Sequence, residues 1–308
     1  MRYEQTFIAM DTIVRIIIVS HSTPQQVDRA IQRAVAWFYR VERTCSRFNR
    51  ESELMRLSAA EVGEKIQVSS MLHQAIKIAV KAAEVTGGAF DPTVGRNMER
   101  LGFNKNYLTG DEVDSQAVDH TAVSYCDLVV DEDKPIVMLK KPMVIDLNAV
   151  VKGMAVDLAV TSLRDAGYGC FLINAGGDIY AAGLDEHQER WKIGIRNPFV
   201  HKRAVGSVRL SDEAICTSGS YERLSPSYPG HHHLFDPSRQ TSSHQLVSCT
   251  VIAPLAMPAD IFSTAAFVLG RERGIRTMET MGFDCMMISS HGELLTTKQL
   301  REHRLWMV

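Results

Sequence analysis

Two oxygen-bearing side chains, Asp260 and Thr264, lie four residues apart in the segment that follows Pro258. Pro258 favours the first turn of a helix, and residues four apart on a helix share one face. A carboxylate and a hydroxyl, together with a nearby backbone carbonyl, are hard oxygen ligands that suit Mg²⁺ completed by water or phosphate oxygens. The alternative is that the helix dipole stabilises the charge of Asp260 near the N-terminus, and the spacing by itself favours this alternative.

A second set of polar residues falls within Pro142 to Gly183, which has the pattern of a strand, a helix and a second strand. Val144 to Leu147 and Phe171 to Ile173 are predicted strands, and apolar residues at helical spacing predict a helix from Ala149 to Ala166, with its charged residues on the surface. The pattern alone does not distinguish an ordinary unit with an Asx-Gly turn from a site. The site hypothesis rests on five polar residues expected to converge at the strand ends: Asp146, Asn148, Lys152, Asn174 and Asp178.

Three consecutive histidines, His231 to His233, precede the end of a predicted strand. Such a run is usually a surface feature or a metal-prone tract, and a catalytic role is the alternative. The choice between these roles stays open at the level of spacing.

Two turns offer further chemistry. Gly219 lies between two serines, where backbone amides could meet a phosphate. Asp91 follows a glycine pair and precedes Pro92, so the simplest interpretation is that Asp91 caps a helix starting at Pro92.

The elements that must position these residues indicate an α+β protein with a mixed, largely antiparallel sheet and packed helices. We expect one domain over residues 1–308, or two closely packed lobes without a sharp boundary. The expected helices are Pro24 to Thr44, a short one capped by Ser52, and Ser70 to Val85. The expected strands include Phe7 to Val19 and a hairpin formed by Val123 to Val130 and Ile136 to Leu139, and Tyr107 to His120 is an expected loop. Three successive strands are expected in one antiparallel sheet: Trp191 to Ile195, Ala204 to Leu210 and Ala214 to Thr217.

Composition narrows the class of protein. The 308 residues are 45% hydrophobic and 23% charged, with 34 basic and 36 acidic residues and a net charge of −2. This balance gives no reason to expect binding to nucleic acid or to an anionic membrane. No apolar run approaches the roughly 20 residues of a membrane span. No signal peptide or lipobox is recognised and the six cysteines are scattered, so we expect a cytoplasmic protein with reduced thiols.

Seven blocks, in order, resemble the ApbE family of flavin transferases, which move FMN from FAD onto a protein threonine. They are MDT at Met10, FDPTVG at Phe90, IDLNAVVKGMAVD at Ile145, NAGGDI at Asn174, TSGSYER at Thr217, HHLFDP at His232 and APLAMPADIFSTAAFVLG at Ala253. Ordered blocks over nearly the whole chain are far more specific than one glycine motif. The resemblance implies a T-fold-like ApbE architecture.

The resemblance also implies roles for individual residues. Asp260 and Thr264, with the Val151 carbonyl, match the family's Mg²⁺ ligands, and Asp178 and His233 match polar residues near the scissile pyrophosphate. The expected nucleotide-binding set combines positions matching the family's FAD pocket with Lys152 and Gly219: Met10, Phe48, Ala89, Phe90, Asp91, Asn148, Lys152, Met154 and Gly219.

The activity so implied is Mg²⁺-dependent transfer of FMN from FAD to a threonine of an acceptor flavoprotein, with release of AMP. His233 is the preferred general base, with Asp178 and His232 as alternatives. Two other functions stay open: a FAD-binding paralogue without transfer, and a Mg²⁺-dependent FAD pyrophosphatase that gives FMN and AMP.

The chain departs from the family pattern at several positions. Asn148 and Ala149 replace paired glycines, Asp11 replaces a glycine, and Phe48 stands where tyrosine is commoner. We therefore expect FAD and Mg²⁺ to bind, but with an altered fit of the nucleotide.

Overall fold

The computed structural model describes residues 1–106, 110, 112, 113, 115, 123–200, 202–303 and 305–307. Most of the expected loop at 107–120 lies outside the described residues. In the described part of the chain, no helix is both long and apolar enough to cross a membrane. All six cysteines are free thiols.

The described residues form sixteen strands. They are β1 (Arg2–Ala9), β2 (Thr12–Val19), β3 (Lys65–Gln67), β4 (Leu128–Val130), β5 (Ile136–Leu139), β6 (Phe171–Ala175), β7 (Asp178–Ala182), β8 (Trp191–Arg196), β9 (Ala204–Leu210), β10 (Glu213–Gly219), β11 (Phe235–Asp236), β12 (Thr241–Ser242), β13 (Leu246–Ala253), β14 (Asp284–Ser289), β15 (Leu294–Thr296) and β16 (Trp306–Met307).

The same residues form eight α-helices. They are α1 (Pro24–Cys45), α2 (Glu53–Ser58), α3 (Ser70–Thr86), α4 (Gly95–Arg100), α5 (Asn148–Asp165), α6 (Ala256–Leu269), α7 (Arg271–Met281) and α8 (Lys298–His303). The expected Ser52 cap is present, since its hydroxyl accepts from Met55 N–H, and Gly87 ends α3 in the left-handed conformation.

A central sheet of eight strands, in the order β1-β2-β6-β7-β10-β13-β14-β15, organises the molecule. Its neighbouring strands are antiparallel throughout. Three smaller sheets, β3-β5-β4, β16-β9-β8 and β11-β12, are also antiparallel. The expected mixture of helices and largely antiparallel sheet is therefore confirmed.

The core has two layers of unequal size. One face of the central sheet packs against α1, α5 and α6, and the other packs against β8 and β9. Helix α3 packs on α1 and α5 and belongs to the larger core layer. Helix α5 lies between α1 and α6, which explains why its apolar residues are not confined to one stripe. Its charged residues are therefore not all on the surface, as the sequence analysis expected: Lys152 and Asp157 are both partly buried.

The expected single strand from Phe7 to Val19 is wrong. The chain turns at Met10 and Asp11, whose φ angles are 53° and 57°, and β1 and β2 pair as a hairpin. Two consecutive left-handed residues form the tight turn that matches the twist of a hairpin. The pattern missed the turn because neither residue is the glycine or asparagine that usually signals it.

The predicted strand at Val144 to Leu147 is also wrong. This largely buried segment pairs with no strand among the described residues, and its backbone bonds to the neighbouring 92–95 turn, where Gly95 N–H donates to Val144 O and Asp146 N–H donates to Pro92 O. A Cβ on Gly95 would lie 2.7 Å from Val144 Cγ1, so the close approach requires a glycine.

Two helix boundaries and the membership of one sheet also differ from the sequence-based expectation. The helix expected at Pro92 begins at Gly95, and the helix expected at Pro258 begins at Ala256. Strands β8 and β9 belong to a small sheet, whereas β10 belongs to the central one, so these three strands do not form one sheet. Periodicity predicts strands but does not say which strands pair.

Candidate active site

A cleft of about 420 Å³ opens at the end of the central sheet, between the β1–β2 turn, the C-terminus of α1 and the N-terminus of α5. The lining residues are Met10, Asp11, Glu42, Ser46, Phe48, Asn148, Val151, Lys152 and Arg223. Five of them, Met10, Phe48, Asn148, Val151 and Lys152, belong to the set that the sequence analysis proposed.

The first wall of the cleft is the hairpin turn, which α1 holds in place. Met10 N–H donates to Glu42 Oε1 at 2.9 Å. Burial raises the pKa of Glu42, the Met10 hydrogen bond opposes that shift, and the nearby Asp11 adds to it. A carboxylate at this position therefore costs free energy that an uncharged side chain would not.

A buried arginine supports the opposite wall. Arg47 Nε donates to Asp146 Oδ2 at 2.9 Å, and its guanidinium carbon lies 4.4 Å from the centroid of the Phe48 ring. Asp146 in turn accepts from the Asn148 backbone N–H at 2.9 Å and from Asn148 Nδ2 at 3.3 Å. The side chain of Asn148, which stands where the family pattern has a glycine, is thus held in place by the hydrogen bond from its amide to Asp146.

At the base of the cleft, a lysine lies between two buried carboxylates. Lys152 Nζ contacts Asp178, and it lies 3.9 Å from Asp260 Oδ2. Burial disfavours the charged amine, but Asp178 and then Asp260 outweigh burial and raise the pKa of Lys152 above its ordinary value. Lys152 is therefore a permanent cation that can bind a phosphate.

Asp260 carries an unsatisfied oxygen. Its side chain is buried, and Oδ2 has no hydrogen-bond partner among the described residues. Burial raises the pKa of Asp260 well above its ordinary value. A buried carboxylate oxygen with no donor is costly unless a cation or another ligand completes it.

Thr264 lies one turn beyond Asp260 on α6, as expected from the spacing. Its hydroxyl is 3.0 Å from the Ser218 hydroxyl, which is 2.8 Å from that of Ser263. Strand β10 thus orients the side chain of Thr264. Asp260 and Thr264 thus lie on one helix, and Val151 and Lys152 line the cleft together at the start of α5.

Asp157, which the sequence analysis placed on the surface, caps α6 from α5. Its carboxylate accepts from Ala256 N–H at 2.8 Å and from Met257 N–H at 3.0 Å. Burial raises the pKa of Asp157 to about 6 despite these two bonds. These two hydrogen bonds therefore fix the N-terminus of α6, which carries Asp260, against α5, which carries Lys152.

The three histidines have different environments. His232 is buried, its Nδ1 accepts from Leu234 N–H at 3.3 Å, and its Nε2 lies 2.8 Å from Ser243 O. Both of its ring nitrogens are used, so His232 is a structural residue. His233 Nδ1 lies 3.4 Å from Arg223 O. Burial, and then the charge of Arg223, lower the pKa of His233 to about 3, so its ring is neutral and is a weak base in the free protein.

Cys216 is the nearest thiol to the two carboxylates. It is fully buried and its Sγ donates to Ala256 O at 3.5 Å. Burial, and then the charges of Asp178 and Asp260, raise the pKa of the Cys216 thiol well above its ordinary value. It is a neutral packing residue and not a nucleophile.

Five of the proposed nucleotide-binding residues do not line the cleft. Phe90 and Met154 are buried in the main core, and Ala89 immediately precedes Phe90. Asp91 Oδ1 accepts from Thr93 N–H at 2.8 Å, so it caps a turn and not the helix α4. Gly219 lies within β10, paired with Ser248, so its amide is in a strand and not in a phosphate-binding loop. Their roles toward a nucleotide stay predictions.

Five residues of the site were not in the set that the sequence analysis proposed: Asp11, Glu42, Ser46, Arg47 and Arg223. Arg223 ends the TSGSYER block and Arg47 precedes Phe48, so each lies in or beside a position that the resemblance singles out. Glu42 and Ser46 carried none, because a charged residue on an amphipathic helix is normally solvated.

The arrangement combines two cations that can bind phosphate, a buried carboxylate that can bind a metal, and a neutral imidazole. Comparison with known proteins agrees with this chemistry. A model of the ApbE family matches residues 10–287, a span that includes every lining residue of the cleft.

Individual relatives match most of the chain. The FAD:protein FMN transferase of Klebsiella pneumoniae is 27% identical over 282 residues, which cover 87% of this chain and 79% of that protein. The FAD:protein FMN transferase of Haemophilus influenzae is 30% identical over 245 residues, which cover 76% of this chain and 70% of that protein. The crystal structure of the ApbE protein from Thermotoga maritima is 28% identical, covers 98% of both chains and has a TM-score of 0.86.

Proposed function

This chain belongs to the ApbE family, and from that premise we propose that it transfers FMN from FAD to a threonine hydroxyl of an acceptor flavoprotein. AMP is the second product, and Mg²⁺ bound by Asp260, Thr264 and the Val151 carbonyl assists the reaction. The observation that carries the proposal is the Lys152 cation held between Asp178 and Asp260, at the base of a cleft lined by residues that match the family's FAD pocket.

The donor set fits a magnesium ion. Asp260 Oδ2 is buried and has no hydrogen-bond partner in the described part of the chain, and Thr264 offers a second hard oxygen on the same helix face. When bound, Mg²⁺ would neutralise charge on the pyrophosphate and stabilise the oxygen that leaves with AMP. Lys152 and Arg223 would hold the phosphates from the cleft side.

The reaction exchanges one phosphorus–oxygen bond for another. The threonine oxygen forms a bond to the phosphorus on the FMN side, the bond between that phosphorus and the bridging oxygen breaks so that this oxygen leaves with AMP, and the hydroxyl proton passes to a base. His233 is the proposed base, because only its Nδ1 has a hydrogen-bond partner among the described residues, while both nitrogens of His232 are already occupied. Asp178 holds Lys152 in place and is the alternative base.

The proposal is tested by incubating the pure protein with FAD, Mg²⁺ and a model acceptor that carries the family's target threonine motif. Intact mass reports added FMN, and chromatography reports AMP. We expect an FMN adduct that is lost with EDTA and in Asp260→Ala. Binding of FAD without an adduct would instead favour a flavin-binding paralogue, and AMP with free FMN in the absence of acceptor would identify a pyrophosphatase.

A further inference from the structure

Glu42 is a charged residue of the cleft to which the proposed reaction gives no role. It lies in the last turn of α1, and its Oε1 accepts from Met10 N–H at 2.9 Å. No described residue donates to Oε2, although the side chain lines the cleft. One oxygen therefore supports the hairpin turn and the other is available to a ligand.

The carboxylate is not needed for the support of Met10. A glutamine would accept the same hydrogen bond from Met10 N–H through its amide oxygen, without a charge in a half-buried position. Burial and the nearby Asp11 raise the pKa of Glu42, so the free protein bears a cost for this carboxylate. A hydrogen-bond donor on a bound ligand would offset that cost.

The charges of the cleft also give a ligand its direction. Lys152 and Arg223 are cations and can hold phosphates, whereas Glu42 and Asp11 make the hairpin wall acidic. A dinucleotide whose phosphates bind the cations must place an uncharged, donor-bearing group against the acidic wall. FAD carries such groups on both halves: the ring N–H and ribityl hydroxyls of the flavin, and the amino group and ribose hydroxyls of adenosine.

We propose that Glu42 is a substrate-recognition residue whose Oε2 accepts a hydrogen bond from an N–H or O–H donor of the bound dinucleotide. This inference rests on the proposed function, because it places FAD in the cleft. In that function, Glu42 would select for donor-bearing groups of the dinucleotide. The chemical step would be carried out by other residues.

The test is Glu42→Gln, which keeps an acceptor for Met10 and replaces the second oxygen by a donor. We expect the Kd for FAD, measured by flavin fluorescence, to rise about tenfold, because loss of a hydrogen bond to a charged group typically weakens binding by about this factor. We expect the rate of transfer at saturating FAD to stay within twofold of wild type, so that KM and not kcat changes. The matched control is Glu84→Gln, which removes one exposed negative charge from α3 and should change neither value.

Binding of the two halves identifies the donor. If the flavin supplies it, Glu42→Gln weakens binding of FMN and leaves binding of ADP unchanged; if adenosine supplies it, the reverse holds. Either result supports the inference, and unchanged Kd values for FAD, FMN and ADP in a folded Glu42→Gln protein overturn it. Failure of the wild-type protein to bind FAD would instead overturn the proposed function, so the two failures are distinguishable.

Discussion

Gly153 on α5 lies so close to Met257 on α6 that a Cβ on the glycine would stand 2.6 Å from the Met257 nitrogen. The two helices that carry Lys152 and Asp260 thus meet backbone to backbone. This contact, with the Asp157 cap beside it, sets the position of the candidate metal ligand relative to the lysine.

Gly153→Ala should therefore separate the two helices. Overpacking of this kind typically costs about 1–3 kcal/mol, and here the added methyl group meets backbone that has no rotamer to change. We expect a lower free energy of unfolding in urea and weaker binding of Mg²⁺. Gly169→Ala is the matched control because nothing lies within 4 Å of its Cβ position; equal stability of the two variants would contradict the argument.

Asp157 should make stability depend on pH. Its pKa is raised by burial from an ordinary 3.8 to about 6, so the folded protein holds this proton more tightly than the unfolded chain does. The contribution of Asp157 to the free energy of unfolding is therefore greatest below about pH 4, and it falls by about 3 kcal/mol as the pH rises to about 6.

The comparison variant for this effect is Asp157→Asn, which cannot ionise. Urea unfolding between pH 4 and 7 should show wild type losing stability relative to Asp157→Asn as the pH rises. A constant difference across that range would mean that the carboxylate titrates at its ordinary pKa.

Asp260→Asn should separate metal binding from folding. Without a metal, we expect the variant to be at least as stable as wild type, because Asp260 Oδ2 is buried with no hydrogen-bond partner among the described residues. Added Mg²⁺ should raise the Tm of wild type and leave the Tm of Asp260→Asn unchanged. Thr264→Val, which removes only a neutral oxygen, should retain part of the increase in Tm. An undiminished increase in Asp260→Asn would exclude Asp260 as a metal ligand.

Substitution of the two central histidines should have different consequences. His233→Ala is expected to slow transfer by about 10²–10⁴-fold, the usual contribution of a general base, with little change in Tm. His232→Ala removes the ring bonded to Leu234 and Ser243 and should chiefly lower Tm. Undiminished transfer by His233→Ala would remove this residue from the mechanism.

The pKa of His233 should respond to a bound anion. Burial and the charge of Arg223 lower this pKa to about 3, below the ordinary value of about 6.5. The folded protein therefore binds fewer protons than the unfolded chain in this range, and the contribution of His233 to stability is lost as the pH falls from about 6.5 to 3. Pyrophosphate beside Arg223 and Lys152 should raise the pKa, which NMR titration of the ring can follow with His233→Gln to assign the signal.

How much of this protein the sequence determined is clearest at the helices. Apolar spacing and capping residues place α1, α3 and α5 within a residue or so of their observed bounds, because a helix is closed by local hydrogen bonds and its buried face repeats every turn. The order of the family blocks likewise identified Lys152, Asp178 and Asp260 before any geometry was known.

Tertiary structure alone decided which of these residues meet. Pairing of β7 next to β10 and the crossing of α5 and α6 bring Asp178 and Asp260 to one lysine, and such contacts between distant segments leave no periodic trace in the chain. The same is true of Glu42 and Asp157, which look like ordinary surface charges on amphipathic helices. Their function depends on what packs against them, and packing is a property of the folded chain.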